Sequence, residues 1–297
     1  LFNRYHIKIH FAHRTFKWIN EARGKAAVHV VIIGFSNFDI VEKRIFEYED
    51  IAGEPHEIKV NNINPYLVEG KDLILLKRRN PISFVPEISF GNMPNDNGYL
   101  LLDNNEKCTF IADEPFSEKF IKPFLSAKEF INNENRWCLW LKDANPNEFR
   151  NIRAIIDRIH QVREYRLKSN REETRKLAAF PYLFGEIRQP NTNYILIPLH
   201  SSENRKYIPI GFFSKDFIIG NSCSAINNAT LYHFGVLTSA IHQTWLKYVC
   251  GRLESRFRYS NDIVYNNFPW PENPSEKQKA EVEAAAQKVL DVRDGNI

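Results

Sequence analysis

The stretch at residues 16–35 reads Phe-Lys-Trp-Ile-Asn-Glu-Ala-Arg-Gly-Lys-Ala-Ala-Val-His-Val-Val-Ile-Ile-Gly-Phe, and its last eight residues are almost all apolar. Such a β-branched run is typical of a strand that is buried on both faces of a larger sheet. The nearby sequence offers no further strands of this kind, so we expect the run to lack strand partners of its own. Since the sequence starts at Leu1 and Met93 is its only methionine, residues 1–48 are predicted to be the end of a domain that lies mostly outside the chain.

Further motifs follow in order along the chain, and they are Tyr66–Gly70, Phe90–Pro94, Arg136–Leu141, Ser201–Gly211, His233–Ser239, Gly251–Ser255, Tyr259–Ser260 and Val264–Pro271. Together with residues 16–35 they resemble the MmeI-like (type IIL) restriction–modification proteins over essentially the whole chain. Members of that family join an S-adenosylmethionine-dependent adenine methyltransferase to a target-recognition domain, often with a nuclease at the N-terminus. Residues 16–35 resemble the end of the methyltransferase domain.

The resemblance implies an α+β fold in three parts. Residues 1–48 would end the methyltransferase domain, residues 49–230 would form a mixed, β-rich target-recognition domain with a long basic helix, and residues 231–297 would form a helical C-terminal segment, cut short in this chain. The implied function is sequence-specific recognition of duplex DNA, which positions a target adenine for methyl transfer. The implied partners are double-stranded DNA and the N-terminal methyltransferase domain, which would bind S-adenosylmethionine in the parent protein; this chain would bind no cofactor.

Composition is typical of a soluble globular protein. Hydrophobic residues make up 43% of the 297, and the mean hydropathy is −0.43. No apolar run approaches the roughly 20 residues that a membrane helix needs, so no membrane contact is expected. The four cysteines are widely scattered, which disfavours a zinc site or a disulfide framework and indicates a reduced, cytoplasmic setting.

Positive charge is concentrated in one segment of the chain. Nine Lys or Arg and four acids lie between Arg150 and Lys176, a net of +5, so the rest of the chain sums to −1 against a total of +4. Such a concentration is the expected electrostatic footprint of nucleic-acid binding. The alternative is a solvated helix face whose charges pair with the acids at 157, 164, 172 and 173. The predicted DNA-backbone contacts are Arg158, Arg163, Arg166, Lys168, Arg175, Lys176 and Lys206.

Periodicity and capping signals predict the helices and strands. A long helix is expected to begin at Asn145 and to carry Ile156 in its apolar stripe, and a second over residues 231–253 carries Ile241 in its stripe. Capping boxes that start at Ser126 and Ser275 predict two further helices, the last one ending near residue 293. The predicted strands are residues 72–76, 99–102, 108–112, 136–140, 194–197, 207–210 and 217–219.

Two polar segments carry side chains that recognise base edges, namely Arg for guanine, Asn for adenine and Glu for the cytosine amine. They are residues 169–171 near the end of the basic helix and residues 201–207, a polar loop expected to enter a strand. Residues two apart on a strand share a face, so Glu203, Arg205 and Tyr207 would point into one groove. The family resemblance implies specificity positions near Asn170, Arg171, Glu203 and Arg205. The predicted base-reading residues are therefore Asn170, Arg171, Glu203, Arg205 and Tyr207.

Structural alternatives stay open for these segments. Asn170 would serve equally as a helix cap, and Glu203 with Arg205 would form a surface ion pair worth less than about 1 kcal/mol. A base-reading pair contributes about 1–3 kcal/mol of discrimination. Residues 185–189, Gly-Glu-Ile-Arg-Gln, carry the same side-chain types but would suit a turn equally well.

Catalytic residues are not predicted in this chain. A methyltransferase of this class needs a Gly-rich cofactor loop and an Asn/Asp-Pro-Pro-aromatic loop that takes the flipped adenine, and the sequence contains neither. Residues 267–270, Asn-Phe-Pro-Trp, come nearest, but Phe268 replaces the first proline. We therefore prefer the interpretation that Tyr265, Phe268 and Trp270 pack this segment onto the helical tail. The His and Cys spacings predict no metal site.

A second function class also fits the basic segment. A protein-interaction or assembly module would use the basic helix against an acidic partner, and the polar loops would then be ordinary surface. Salt-sensitive binding to duplex DNA with a preference among sequences would distinguish the two.

Overall fold

The structure is a computed structural model, and it describes residues 2–18, 28–253 and 256–294. Parts of two sequence motifs lie outside the described residues: positions 19–27 of the first stretch, and Glu254 and Ser255. The described chain has a mixed α+β fold, which confirms the predicted fold class.

Four small sheets and the helices around them make up the described fold. The helices are α1 (Phe2–Tyr5), α2 (Asn104–Asp113), α3 (Ala127–Asn132), α4 (Pro146–Phe149), α5 (Arg153–Leu167), α6 (Glu172–Lys176), α7 (Leu231–Thr238), α8 (Ala240–Val249) and α9 (Glu276–Asp294). The strands are β1 (Lys8–Trp18), β2 (Val28–Ser36), β3 (Lys43–Glu47), β4 (His56–Val60), β5 (Ile88–Phe90), β6 (Leu101–Leu102), β7 (Ile121–Leu125), β8 (Trp137–Leu139), β9 (Tyr194–Pro198), β10 (His200–Ser201), β11 (Gly211–Phe213), β12 (Ile218–Ile219), β13 (Cys223–Asn227), β14 (Gly251–Leu253) and β15 (Arg256–Arg258). The sheet orders are β2-β1-β3-β4, β12-β7-β8-β6, β11-β9-β13-β5 and β10-β15-β14.

The first sheet corrects the prediction for the N-terminal apolar run. That run forms β2, which pairs antiparallel with β1, so the prediction that it lacks a strand partner is wrong. Within the described residues β2 is an edge strand with one neighbour. Its apolar side chains are therefore not buried on both faces: those of Val31, Ile32, Ile33 and Phe35 are between 39% and 59% exposed.

Two larger cores organise the rest of the chain. One lies between sheet β12-β7-β8-β6 and helix α5, and Leu139, Ile155 and Val162 are buried in it. The other lies between strands β9 and β13 and helices α7, α8 and α9, with Ile195 and Phe234 at its centre. Strands β9 and β13 and the C-terminal helices therefore share one core.

The two predicted capping boxes are confirmed, and a third, unpredicted one at Asp103 explains a wrong strand. Ser126 and Ser275 begin helices α3 and α9 as predicted, and α9 ends at Asp294. Residues 108–112 lie in α2 instead of a strand. The Asp103 side chain accepts a hydrogen bond from the backbone N–H of Glu106. In return, the Glu106 side chain accepts a hydrogen bond from the backbone N–H of Asp103. Such a reciprocal cap starts a helix whatever the β propensity of the residues that follow.

Two further strands are also absent from the described chain. Residues 72–76 form no regular secondary structure, and residues 207–210 follow a turn without pairing. The strands predicted at 136–140, 194–197 and 217–219 are present as β8, β9 and β12, and the one at 99–102 is reduced to β6.

Both predicted long helices are interrupted. Asn145 caps only α4, and helix α5 starts after Ile152, whose extended backbone ends the first turn. The buried stripe of α5 is Ile155, Ile159, Val162 and Arg166, so Ile155 replaces the expected Ile156. Ser239, also extended, separates α7 from α8, and the resulting change of phase leaves Ile241 75% exposed.

Candidate nucleic-acid interface

Arg166 is a buried structural residue. It lies on the apolar face of α5, it is 1% exposed, and its guanidinium makes five hydrogen bonds. Because a guanidinium has five N–H donors, none is left for a phosphate. The prediction that Arg166 contacts the DNA backbone is therefore corrected to a role in the fold. The acceptors are the backbone carbonyls of Pro94, Asn95, Leu177, Phe180 and Leu183, at 2.7–3.1 Å.

Arg158 is also used within the fold. Its guanidinium donates to the carbonyls of Tyr99 and Leu101 at 2.9 and 3.1 Å and pairs with Glu106 at 2.7 Å. Burial raises the pKa of Glu106, but the backbone bond from Asp103 and the charged Arg158 outweigh it and hold that pKa below its ordinary value. Arg158 is thus a poor candidate for a phosphate contact. Its predicted contact with the DNA backbone is also corrected to a role in the fold.

The remaining cations of the basic segment lie on the surface. Arg163 on α5 and Lys168 just after it are both exposed. Arg175 is exposed but donates to the Ser169 carbonyl at 2.8 Å. Lys176 pairs with Glu172 and Glu173, at 3.2 and 2.8 Å, so the solvated-face alternative describes it in this structure.

The first predicted reading segment lies in the turn between α5 and α6. Asn170 and Arg171 are both exposed there. The Ser169 hydroxyl accepts a hydrogen bond from the Arg171 backbone N–H at 3.2 Å, and the Ser169 carbonyl holds Arg175. Asn170 makes no capping bond to α6, whose N-cap is Arg171 without a side-chain bond. The two candidate side chains therefore project from a turn that hydrogen bonds to Ser169 hold in place.

The second predicted reading segment is a loop instead of a strand. Between β10 and residue 208 the chain turns at Ser202, whose hydroxyl accepts from the Asn204 backbone N–H at 3.2 Å. The argument that alternate residues share a strand face is therefore wrong for Glu203, Arg205 and Tyr207. Arg205, Lys206 and Tyr207 are exposed, whereas Glu203 is half-buried and interacts with another group.

Both ends of that loop are fixed. Ser201, at its start, pairs with Phe257 in the sheet β10-β15-β14. At its end, the Ile208 backbone N–H donates to the buried side chain of Gln243 at 2.9 Å, and Gln243 in turn donates to the Leu237 carbonyl. A polar loop between two rigid anchors can hold its side chains in fixed positions, as a recognition loop requires.

Glu203 and Asn204 line a cleft of about 800 Å³ between the loop and the first sheet. Its walls include Arg14 and Tyr48 from the first sheet and Tyr248 from α8. The other reading segment, with Asn170 and Arg171, lies outside this cleft. The structure therefore does not bring all the predicted readers into one pocket.

Residues 185–189 are structural. The Gln189 side chain donates to the carbonyls of Lys215 and Phe217 and accepts from Asn92 at 2.8 Å. Glu186 and Arg188 form an ion pair with each other. These side chains hold the segment against the sheet edge, which supports the turn interpretation.

Asn267 supports the packing interpretation of the Asn-Phe-Pro-Trp segment. Its side-chain nitrogen donates to three backbone carbonyls, and its oxygen accepts from Arg78 at 3.0 Å. Tyr265, Phe268 and Trp270 are each less than 5% exposed and stack edge to face. Asn267 therefore has no free polar group for a flipped base.

The hairpin β14–β15 was not predicted as a functional element. It presents Arg252, Arg256 and Arg258 at the surface, next to the strand that leads into the 202–207 loop. The sequence signal that would have found it is the alternation Arg256-Phe257-Arg258, in which a buried aromatic separates two exposed cations.

The described part of the chain contains neither a cluster of potential metal ligands nor a membrane-spanning helix. No group of three or more His, Cys, Asp or Glu there could hold a metal ion. No helix among those residues is long and apolar enough to cross a membrane. All four cysteines are unpaired.

Comparison with known proteins identifies the family. A family model described as the MmeI target recognition domain matches residues 69–272, more than half of the chain. The chain belongs to this family. A second model, described as the MmeI DNA-methyltransferase domain, matches residues 1–47.

Two relatives match the target-recognition chain almost throughout its length. DNA methyltransferase A of Bacillus subtilis (strain 168) is 40% identical over 292 residues, which cover 98% of this chain and 32% of that protein. The solved structure of the type IIL restriction-modification enzyme MmeI in complex with DNA has a TM-score of 0.89 and 51% identity, and the match covers 97% of this chain and 38% of that one. The chain thus spans about a third of the length of each relative.

The described residues do not fit S-adenosylmethionine, the cofactor implied by a methyltransferase relative. The glycines with positive φ in the described ranges are Gly70 and Gly98, which lie in separate loops and form no cradle. Asn267, the nearest match to a catalytic polar residue, uses its side-chain amide for hydrogen bonds within the fold. No step of methyl transfer is therefore assigned to this chain.

Proposed function

We propose that this chain is the DNA-recognition part of a type IIL restriction–modification protein. It would bind duplex DNA at a specific sequence and position a target adenine for methyl transfer. The methyltransferase domain of the same protein would bind S-adenosylmethionine and perform the transfer, and a nuclease domain would share the same recognition part where one is present. DNA recognition and methyl transfer would take place in the cytoplasm.

One observation carries this proposal: the fold matches a DNA-bound MmeI structure at a TM-score of 0.89 and 51% identity over 97% of the chain. At such identity, both the scaffold and its surface loops are expected to correspond. The matched lengths support a larger protein, since the chain spans 32% and 38% of its two relatives.

The proposed division of the chain follows the same comparison. Residues 1–48 would be the end of the methyltransferase domain, and residues 49–230 the recognition domain. The helical segment 231–297 would brace that domain through the core that α7, α8 and α9 share with β9 and β13. The exposed apolar edge of β2 would meet the rest of the methyltransferase domain.

Base reading is proposed for five side chains on the two turns; Glu203 is half-buried and the other four are exposed. Asn170 and Arg171 would contact one part of the site, and Glu203, Arg205 and Tyr207 another. Asn suits adenine, Arg suits guanine and Glu suits the cytosine amine, and each good pair contributes about 1–3 kcal/mol of discrimination. Phosphate contacts would come from the exposed cations Arg163, Lys168, Arg175, Lys176 and Lys206, and Lys176 would first have to leave its two acids.

The test uses the full-length protein, labelled S-adenosylmethionine and a mixture of genomic DNAs. Methylated positions are mapped for the wild type, for Glu203→Ala and for Arg205→Ala. A relaxed or shifted preference at one base position is the expected result, because losing one base contact frees that position alone. Lys277→Ala, on the exposed face of α9, serves as the matched surface control and should leave the pattern unchanged.

Two outcomes would count against the proposal. Uniform weakening at every site would reduce Glu203 and Arg205 to scaffold or backbone contacts. No methylation by the wild type on any DNA would remove the proposed function itself and favour an interaction module.

A further inference from the structure

The sheet β10-β15-β14 presents arginines on a rigid support. On β15, Phe257 is buried, and Arg256 and Arg258 on either side of it are exposed. Successive residues of a strand point to opposite faces, so Arg256 and Arg258, two residues apart, share one face. Phe257 and the buried Tyr259 fix the strand, and the Tyr259 backbone N–H donates to the Leu199 carbonyl at 2.9 Å. The arginines therefore project from a position that the core determines.

Positive charge is dense around this hairpin. Four cations and one acid lie between residues 247 and 258, a net of +3 in twelve residues. Across the sheet, His200 pairs with Arg258. Burial and then the charges of Arg258 and Arg256 lower the pKa of His200, so this histidine adds no positive charge at neutral pH. The arginines, and not His200, therefore set the potential of this surface.

The hairpin adjoins the proposed reading loop. Ser201 pairs with Phe257, and the loop with Glu203 and Arg205 begins immediately after Ser201. Neighbouring strands lie about 4.8 Å apart, so the arginine face begins within one strand spacing of the loop. Any protein that reads bases must lie against the phosphates on either side of them.

We propose that Arg256 and Arg258 bind consecutive phosphates of the DNA strand that flanks the bases read by the 202–207 loop. This rests on the proposed function and adds a second phosphate-binding element, separate from the segment 163–176. Residues two apart on one strand lie about 6.7 Å apart, a repeat that suits neighbouring phosphates along one DNA strand. The planar guanidinium can hold a phosphate through two parallel hydrogen bonds. The contact would orient the duplex without reading its sequence.

The experiment compares the full-length wild type with the double variant Arg256→Gln/Arg258→Gln. Affinities are measured by fluorescence anisotropy over a range of salt concentrations, for a duplex with the methylated site and for an unrelated duplex. We expect the slope of log affinity against log salt to fall by about 1.8, which is about 0.9 for each lost phosphate contact. Affinity should fall on both duplexes alike, and the methylated sequence should stay the same.

Two further variants separate phosphate binding from other causes. Arg256→Lys/Arg258→Lys keeps the charge and should retain the wild-type slope. Lys277→Gln/Lys288→Gln removes the same net charge from α9 and should not change the slope. If the lysine variant loses as much affinity as the glutamine variant, the arginines support the fold instead and the inference is wrong.

The remaining outcomes are also decisive. An unchanged slope and affinity in the glutamine variant would exclude hairpin contact with DNA, and a changed preference at one base would make the arginines base readers. In either case, wild-type methylation at a specific site would leave the proposed function standing. A wild type that binds no duplex would overturn both.

Discussion

The guanidinium carbon of Arg14 lies 5.0 Å from the centroid of the Tyr248 ring. Arg14 belongs to β1 in the first sheet, and Tyr248 belongs to α8 in the C-terminal helical segment. Arg14 also donates to the Leu67 carbonyl at 3.1 Å and forms an ion pair with Glu47. One side chain thus joins the first sheet to α8 at the cleft that Glu203 also lines.

The Arg14–Tyr248 contact should be measurable as a coupling energy. A cation over an aromatic ring contributes about 0.5–1 kcal/mol at a partly exposed site. In a double-mutant cycle with Arg14→Gln and Tyr248→Leu, we expect a coupling of that size in the free energy of unfolding. Chemical denaturation of the four proteins checks it, and additive single effects would show that the ring and the cation do not interact.

Replacing Arg166 should destabilise the protein severely. Arg166→Met would leave five backbone carbonyls without their donor and would remove the buried positive charge that interacts with the buried Asp96. Breaking one side of such a buried arrangement costs about 3–5 kcal/mol. Thermal unfolding should show a clear fall in the melting temperature, and Arg166→Lys should also be destabilised, because lysine has three donors for five acceptors.

Arg163 provides the matched control for Arg166. It lies three residues earlier on the same helix and is exposed. Arg163→Met should change the free energy of unfolding by less than about 0.5 kcal/mol. Equal destabilisation by both substitutions would mean that helix propensity, and not the buried hydrogen bonds, sets the cost.

The same helix shows how much of the fold the sequence could predict. The apolar stripe and the existence of the helix were readable from residue spacing, but its start was not, because Asn145 caps a separate turn and the helix resumes after Ile152. That shift of phase moves Ile155 onto the buried face and puts Arg166 in line with it. An arginine on an apolar stripe is the one local sign of a structural role, and recognising it requires the correct start.

The candidate site was predictable in its chemistry but not in its geometry. Residue types indicated the polar loop at Glu203 and Arg205, yet the strand expected from Tyr207 to Ile210 does not form, because the Ile208 N–H bonds to Gln243 from α8. That partner is 35 residues away, and no local pattern predicts it. The hairpin arginines were missed for a related reason: their strand pairs with β10, far away in the sequence.

Gly91 should tolerate no side chain. A Cβ at Gly91 would overlap the backbone carbonyl of Gly220, where two chain segments meet beside β12. Since backbone cannot move aside without breaking the sheet, Gly91→Ala should cost about 3 kcal/mol. Gly251→Ala is the control, since its Cβ would meet nothing closer than 3.9 Å. Soluble yield and melting temperature should fall for the first variant only, and an equal fall for both would contradict the steric explanation.

Acid should weaken the C-terminal core through His242. This side chain is 0% exposed and packs edge to face on Phe268, and burial lowers its pKa to about 4. In the unfolded chain the pKa of His242 keeps its ordinary value of 6.5. Below that pH the unfolded state therefore binds a proton that the folded state does not bind. Stability is therefore complete above pH 6.5 and falls towards pH 4, by about 2 kcal/mol between pH 7 and pH 5.

Hydrogen–deuterium exchange of peptides from residues 240–249 measures this loss in the intact protein. After correction for the intrinsic rates, the opening free energy should fall with pH in the wild type. His242→Gln keeps a polar side chain of similar length without the titration, so its opening free energy should be lower at pH 7 but nearly constant down to pH 5. An equal dependence on pH in both proteins would assign the acid sensitivity to other groups, since only the wild type has a buried imidazole there to protonate.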